Sequence, residues 1–285
     1  MGKVKVFLEM IKFEHTIFAL PFAYLGAFLA SGGVPNGYQL LWITLAMVGA
    51  RTAAMSLNRV IDRFIDARNP RTVQRAIPAG LLGVREVYYT IVLSFLLLGF
   101  SAYQLNMLAF KLMPLAVFVL VLYSYTKRFT WLCHLFLGLA LGMAPVGAWV
   151  GITGALALLP VTMGLGVMFW VAGFDIIYAC QDAEFDKIEG LYSIPSVFGL
   201  KNALWVSILF HVIALVLFIL LGMMDPILGK IYYLGVLAAA VLLFRQHKIV
   251  SSSDLSKIGV AFFNLNAYLS VELFVFAFLD LVIIH

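Results

Sequence analysis

Charge is what this chain has least of. Its 285 residues include 14 Asp and Glu and 19 Lys and Arg, 12% in all, against 64% hydrophobic residues. An ordinary soluble domain carries about 25% charged and about 45–50% apolar residues. The shortage excludes a soluble globular domain and predicts an integral membrane protein. Cysteine is scarce too. Cys133 and Cys180 lie in or beside apolar runs and neither has a CxxC partner, which excludes a disulfide framework or zinc site and reads both as small buried packing residues. Residues 1–15 have no small-residue cleavage site behind a short apolar core, and position 6 is Val6 rather than Ser or Thr. Neither a removable signal nor a myristoyl anchor is expected. The basic residues are spread over several short loops, so the net charge of +5 reads as a topology signal and excludes a nucleic-acid partner.

What the chain does have is long hydrophobic runs. Nine can be read, at about 14–32, 38–57, 87–105, 108–125, 131–150, 155–180, 202–223, 228–244 and 259–284, each near the ~20 residues that cross a bilayer. Internal prolines (Pro21, Pro114, Pro145, Pro160) are tolerated in membrane helices. With nine spans, Lys3, Lys5, Lys12, the Arg-rich segment 61–86, Lys127, Arg128, Lys187, Lys201, Arg245, Lys248 and Lys257 all fall on one side. The opposite side keeps only Lys111 and Lys230. The excess of positive charge predicts that the basic side, with the N-terminus, is cytoplasmic, and that the chain is a multi-pass protein of the inner (cytoplasmic) membrane.

The few acidic residues are not scattered. Asn58, Asp62 and Asp66 close the second span. Tyr178, Asp182 and Asp186, preceded by Asp175, close the sixth. Each set recurs at i, i+4, i+8 and so shares one helix face. The two sets are offset by the same 120 residues, which suggests two related four-helix units plus one extra span. Six of the 14 acids (Asp62, Asp66, Asp175, Asp182, Glu184, Asp186) belong to these segments. Carboxylates near hydrocarbon are costly and mark ion or substrate sites. Mg²⁺ binds through one or two carboxylates plus substrate phosphates and water, so two facing stripes suit a metal pair on one diphosphate. The plain alternative is a pair of solvated helix ends, with Glu184 the first candidate for a surface residue.

Cations accompany the acids. Arg63, Arg68, Arg71 and Arg75 follow the first stripe, and Lys127-Arg128 close the fourth span. They read either as phosphate ligands or as positive-inside topology. Tyr123 lies one turn before Lys127 and Tyr178 one turn before Asp182, each on the face of its charged neighbour. Some polar residues stand apart. Glu272 is an acid in mid-span, functional by default or packed on a buried Arg such as Arg51. Asn264 and Asn266 read as interhelical hydrogen-bonders, and His15 as an interfacial residue that could touch substrate. A cation or solute transporter would also use intramembrane acids and a repeat, but does not explain why both stripes share one side with an Arg-rich segment between them.

The segment 58–80, NRVIDRFIDARNPRTVQRAIPAG, resembles the first motif of the UbiA superfamily of membrane prenyltransferases, with Asn58, Asp62 and Asp66 in its N-x-x-x-D-x-x-x-D pattern. The segment 175–199, DIIYACQDAEFDKIEGLYSIPSVFG, resembles the second, with Asp175, Asp182 and Asp186, and Tyr123 and Lys127 match a Tyr-x-x-x-Lys element. Asn-Pro-Arg-Thr (69–72), Ile-Pro-Ala-Gly (77–80), Tyr-x-x-Gln-Asp (178–182), Ser-Ile-Pro (193–195) and the opening 11–23 are most similar to the 4-hydroxybenzoate polyprenyltransferase branch. The resemblance implies an all-α fold of nine transmembrane helices around a central cavity, residues 1–285 forming one prenyltransferase domain. It implies Mg²⁺-dependent transfer of an isoprenyl chain from a prenyl diphosphate to an aromatic acid in ubiquinone- or menaquinone-type biosynthesis. Asp62, Asp66, Asp182 and Asp186 would hold the metal, and Asp175 would orient the acceptor or the metal shell. Asn58, Arg63, Arg71, Tyr123, Lys127 and Tyr178 would line the substrate site. Lys12, where many relatives carry Arg, would be a further phosphate contact. Naphthoate, homogentisate, haem, chlorophyllide or a lipid glycerol are alternative acceptors.

Overall fold

The structure is a computed structural model and describes residues 2–12 and 16–284. His15 lies outside them. The elements are α1 (Lys3–Met10), α2 (Thr16–Ser31), α3 (Gly37–Ile61), α4 (Arg63–Arg68), α5 (Val84–Leu105), α6 (Met107–Thr126), α7 (Cys133–Thr153), α8 (Leu158–Ala179), α9 (Ala183–Ile188), α10 (Ile194–Met224), α11 (Lys230–Ile249) and α12 (Leu265–Phe278). Among the described residues the fold is all-α. Each of the nine predicted apolar runs coincides with one long helix, but the count of nine spans is not matched by nine equivalent helices. Among the described residues, seven are long and apolar enough to cross a membrane: α3, α5, α6, α7, α8 with its continuation to Ile188, α10, and the last segment Val260–Ile284. The apolar part of α2, Phe18–Ser31, is shorter. The apolar middle of α11 is flanked by Lys230 at one end and by Arg245, His247 and Lys248 at the other.

Helix ends follow from local chemistry. Asn36 caps α3 through Gln39 N–H at 2.9 Å, and the Gln39 side chain returns the bond, a reciprocal box that satisfies two orphan donors. Asn106 caps α6 and also donates to the carbonyls of Val150 and Gly151 at the end of α7. In this way one residue seals two helix ends. Ser193 caps α10 in a box with Ser196.

The long helices pack in a closed ring, α2–α3–α5–α6–α7–α8–α10–α11–α12 and back to α2, with α2 also lying on α7. Glycine sets the closest approach. A Cβ at Gly138 of α7 would lie 2.2 Å from Met168 O of α8, and one at Gly142 would lie 2.4 Å from Gly164 O. Small residues of this kind let membrane helices pack backbone to backbone. The main core joins Phe18, Phe22, Trp170, Phe174, Phe218 and Tyr232. It is fastened by Trp170 Nε1 donating to Asn266 Oδ1 at 3.1 Å, so Asn266 bridges α8 and α12 as expected, whereas Asn264 is exposed. Outward faces carry Leu93, Phe118, Trp205 and Phe244, all exposed, an apolar rim suited to lipid rather than water.

Glu272 does not meet Arg51. Among the described residues both its carboxylate oxygens are buried without a hydrogen-bond partner, while Arg51 donates to Lys12 O at 3.1 Å. An unsatisfied buried polar group costs about 1–3 kcal/mol. Glu272→Leu is therefore expected to raise the thermal unfolding midpoint in detergent without loss of activity. A fall in the midpoint would show that the carboxyl has a partner worth keeping.

Candidate active site

Both acidic stripes interrupt their helices at the same point. α3 stops at Ile61, Asp62 takes φ −90° and ψ 1°, and α4 resumes at Arg63. α8 gives way to a 3₁₀ turn ending at Asp182, with φ −104° and ψ 1°, and α9 resumes at Ala183. The 120-residue repeat is thus a repeat of backbone shape: helix, one tightened residue bearing Asp, helix. The two stripes converge. Asn58, Asp62, Asp66, Asp175, Tyr178, Asp182 and Asp186 all line one cavity of about 360 Å³, together with Lys12, Tyr123, Lys127 and Arg71. Asn69 and Arg71 from the first half bond directly to Asp182 of the second.

Each carboxylate is held. Asp62, almost fully buried, accepts from Lys127 Nζ at 2.6 Å, Arg128 Nη2 at 2.8 Å and Asn58 Nδ2 at 3.0 Å. Asp66 accepts from Arg75 Nη1 at 2.7 Å. Asp182 accepts from Arg71 Nε at 2.8 Å, from Arg71 Nη2, and from Asn69 Nδ2 at 2.9 Å. The third Arg71 nitrogen donates to Tyr178 OH at 2.8 Å, and the guanidinium carbon lies 5.0 Å from the Tyr178 ring centre. Burial works against the charge on Arg71. The hydrogen bond to Asp182 and the nearby negative charge outweigh it and hold the guanidinium above the ordinary arginine pKa. Asp186 accepts from Ser193 Oγ at 3.0 Å. Asp175 accepts from His134 Nδ1 at 2.7 Å.

Some expectations need correction. Arg63 is not in the cavity lining. It donates to Val60 O at 2.7 Å and lies 4.2 Å over the Phe64 ring, so its own helix satisfies it on the outer face. Arg68 pairs with Glu189 at 2.7 Å, a strap between the two loops rather than a substrate contact. Cys133 is not a buried packing residue: it is half-buried and lines the cavity, whereas Cys180 is buried as expected. Glu184 is exposed. The residues not foreseen are His134, Asn69 and Ser193. Asn69 and Ser193 lay inside motifs that could have flagged them, whereas His134 sits in an apolar run 41 residues from Asp175 with no local signal.

A second cavity of about 490 Å³ adjoins the first and shares Met47, Ala50, Leu120 and Ala144 with it. Its walls, from α3, α5, α6, α7 and α8, are apolar throughout, with Leu98, Leu112, Met113, Val119, Leu139 and Met168 among them. The arrangement is a charged head chamber opening into a greasy tail chamber.

The residues also fit a divalent ion. Asp66 Oδ2 is buried with no hydrogen-bond partner among the described residues, a carboxylate oxygen open to a cation. Among the described residues no three His, Cys, Asp or Glu side chains form a ready metal cage, and Mg²⁺ needs none when substrate phosphates complete its shell.

Fold and cavity together define a polytopic membrane protein with a charged chamber joined to an apolar one. The chain belongs to the UbiA prenyltransferase family, whose profile matches residues 19–268. It is 31% identical over 254 residues to a 4-hydroxybenzoate octaprenyltransferase of Edwardsiella ictaluri, covering 88% of this chain and 86% of the relative. It is 29% identical to one of Vibrio campbellii, covering 93% of each. Among solved structures, a UbiA homologue from Aeropyrum pernix K1, in its apo form, superposes with TM-score 0.85 at 33% identity, covering 94% of this chain and 98% of that one. A UbiA homologue from Archaeoglobus fulgidus bound to GPP and Mg²⁺ superposes with TM-score 0.77 at 20% identity, covering 97% and 99%, and shares the fold. The chain is a prenyltransferase of this family.

Proposed function

We propose that this prenyltransferase moves an isoprenyl chain from its diphosphate onto 4-hydroxybenzoate, with Mg²⁺, as a step in ubiquinone- or menaquinone-type biosynthesis, and that residues 1–285 act as one unit. The observation that carries the reading is the meeting of both acidic stripes with Arg71, Arg75 and Lys127 in one cavity. The names of the curated relatives and the GPP and Mg²⁺ bound by the Archaeoglobus homologue support it. The positive-inside pattern supports a cytoplasmic membrane protein with its N-terminus and head chamber on the cytoplasmic side.

Among the described residues, five carboxylates (Asp62, Asp66, Asp175, Asp182, Asp186) face six basic residues (Lys12, Arg51, Arg59, Arg71, Arg75, Lys127) in the cavity wall. This near balance leaves little net positive charge for a diphosphate unless divalent cations arrive with it. Asp62, Asp66, Asp182 and Asp186 would hold Mg²⁺, which when bound neutralises charge on the leaving diphosphate. On diphosphate binding, Arg71, Arg75 and Lys127 exchange their carboxylates for phosphate oxygens, which Arg can grip in pairs and Lys as a point charge. With Arg71, Arg75 and Lys127 on the leaving group, the allylic C–O bond ionises, the ring carbon beside the acceptor hydroxyl forms the new C–C bond, and that carbon then gives up its proton to the released diphosphate, restoring the aromatic ring. Tyr123, in the cavity wall, offers an aromatic ring to the developing cation, whereas the Tyr178 ring is engaged by Phe262, 4.2 Å centre to centre, and by the Arg71 guanidinium. The apolar chamber takes the prenyl tail and keeps out the water that would quench the cation. Asp175 orients the acceptor.

Purified protein given one prenyl diphosphate and a panel of aromatic acids is expected to release pyrophosphate and form a prenylated 4-hydroxybenzoate, identified by mass, only when Mg²⁺ is present. Transfer to another acid alone would overturn the acceptor assignment, and transfer with no divalent cation would overturn the metal.

A further inference from the structure

His134 sits near the start of α7, almost fully buried, at the seam of three elements. Its Nε2 faces the backbone N–H of Ile194 at 3.2 Å, and its Nδ1 faces Asp175 Oδ2 at 2.7 Å. A backbone N–H can only donate, so Nε2 is the acceptor and the ring proton of the neutral imidazole is on Nδ1, aimed at the carboxylate. Ile194 opens α10 directly behind Ser193, which donates to Asp186. One turn of chain therefore steadies two acids of the second stripe: Asp186 directly through Ser193 and Asp175 through His134. Further along the same two helices, Gly138 and Gly142 of α7 pack against the backbone of Met168 and Gly164 of α8.

Asp175 also differs from its neighbours. Asp62, Asp66 and Asp182 each form a salt bridge to Arg or Lys, whereas Asp175 takes a hydrogen bond from the neutral imidazole of His134. The Asp175 side chain, 22% exposed, belongs to the cavity lining along with Phe174 and Tyr178. A carboxylate without a strong cation beside it is free to address the acceptor, provided that something fixes its direction.

We propose that His134 is a positioning residue that orients Asp175 toward the aromatic acceptor and takes no part in holding the diphosphate. The inference rests on the aromatic-acceptor reading above. His134→Leu removes both bonds. The expected result is roughly a tenfold to hundredfold fall in kcat/KM for the aromatic acid, with KM for the prenyl diphosphate unchanged within about twofold. His134→Gln, whose amide can donate to Asp175 and accept from Ile194, is expected to restore most of the loss. In an Asp175→Asn background, His134→Leu is expected to add nothing, because residues acting through one another are not additive.

A merely structural role would lower both substrates' parameters together and add to Asp175→Asn, and either result overturns the proposal. So does wild-type acceptor kinetics in His134→Leu. If that variant fails to fold, His134→Asn, too short to span both partners, replaces it: loss with Asn and recovery with Gln support the proposal, and equal activity overturns it. A wild-type enzyme that prenylates no aromatic acid defeats the functional reading and this inference together. Normal wild-type transfer with an indifferent position 134 defeats this inference alone.

Discussion

Asp182→Ala is expected to reduce prenyl transfer by about 10³-fold or more, the scale of losing a group that organises charge in a transition state. Three hydrogen bonds from the first half of the chain, two from Arg71 and one from Asn69, end on this carboxylate. It is therefore both a proposed metal ligand and the point where the two halves are joined. Its loss leaves Arg71 held at the cavity by Tyr178 without the carboxylate, frees the Asn69 amide, and halves the second stripe's capacity for a cation. Asp62→Ala should behave alike, because Asp62 gathers Lys127, Arg128 and Asn58. Pyrophosphate release titrated with Mg²⁺ measures both. Full turnover in both variants would sink the metal cradle, and turnover rescued by high Mg²⁺ would place these residues in metal affinity rather than chemistry.

Arg71→Ala is expected to cost about 10²–10³-fold in kcat/KM for the prenyl diphosphate, as for a donor aimed at a leaving group. Arg71 uses all three nitrogens, two on Asp182 and one on Tyr178. A lysine cannot reproduce that fork, so Arg71→Lys should recover little and remain at least about tenfold impaired. Steady-state kinetics with each substrate varied in turn separates the effects: KM for the diphosphate should rise and KM for the aromatic acid should hold. An unchanged KM for the diphosphate in Arg71→Ala would confine Arg71 to fastening the loop 69–75.

Much of this was legible in the chain because a membrane leaves few choices. Apolar runs separated by charged loops marked every long helix, since backbone polar groups in lipid must bond within their own segment. The weak points were those where length and charge compete. α2 is short, and polar ends flank the apolar middle of α11. The stripes were visible because a carboxylate amid hydrocarbon has little reason to be there except function, and their spacing predicted a shared face. What spacing could not show is the break in each helix at Asp62 and Asp182, because a single residue near ψ 0° leaves no compositional trace. Charge type failed where direction mattered: Arg63 and Arg71 read alike in sequence, yet one satisfies its own helix and the other crosses to the second half. His134 was invisible for the opposite reason, since a neutral imidazole in an apolar run shows its purpose only through partners distant in sequence.

The central claim is that the two stripes form one metal-dependent diphosphate site. Calorimetric titration of geranyl diphosphate into the purified protein, with and without Mg²⁺, tests it most directly. One diphosphate per chain should bind with Mg²⁺ and only weakly without it, and Asp66→Ala and Asp186→Ala should each abolish the Mg²⁺-dependent component alone. If either variant keeps the full Mg²⁺-dependent affinity while the other loses it, one stripe suffices and the account is wrong.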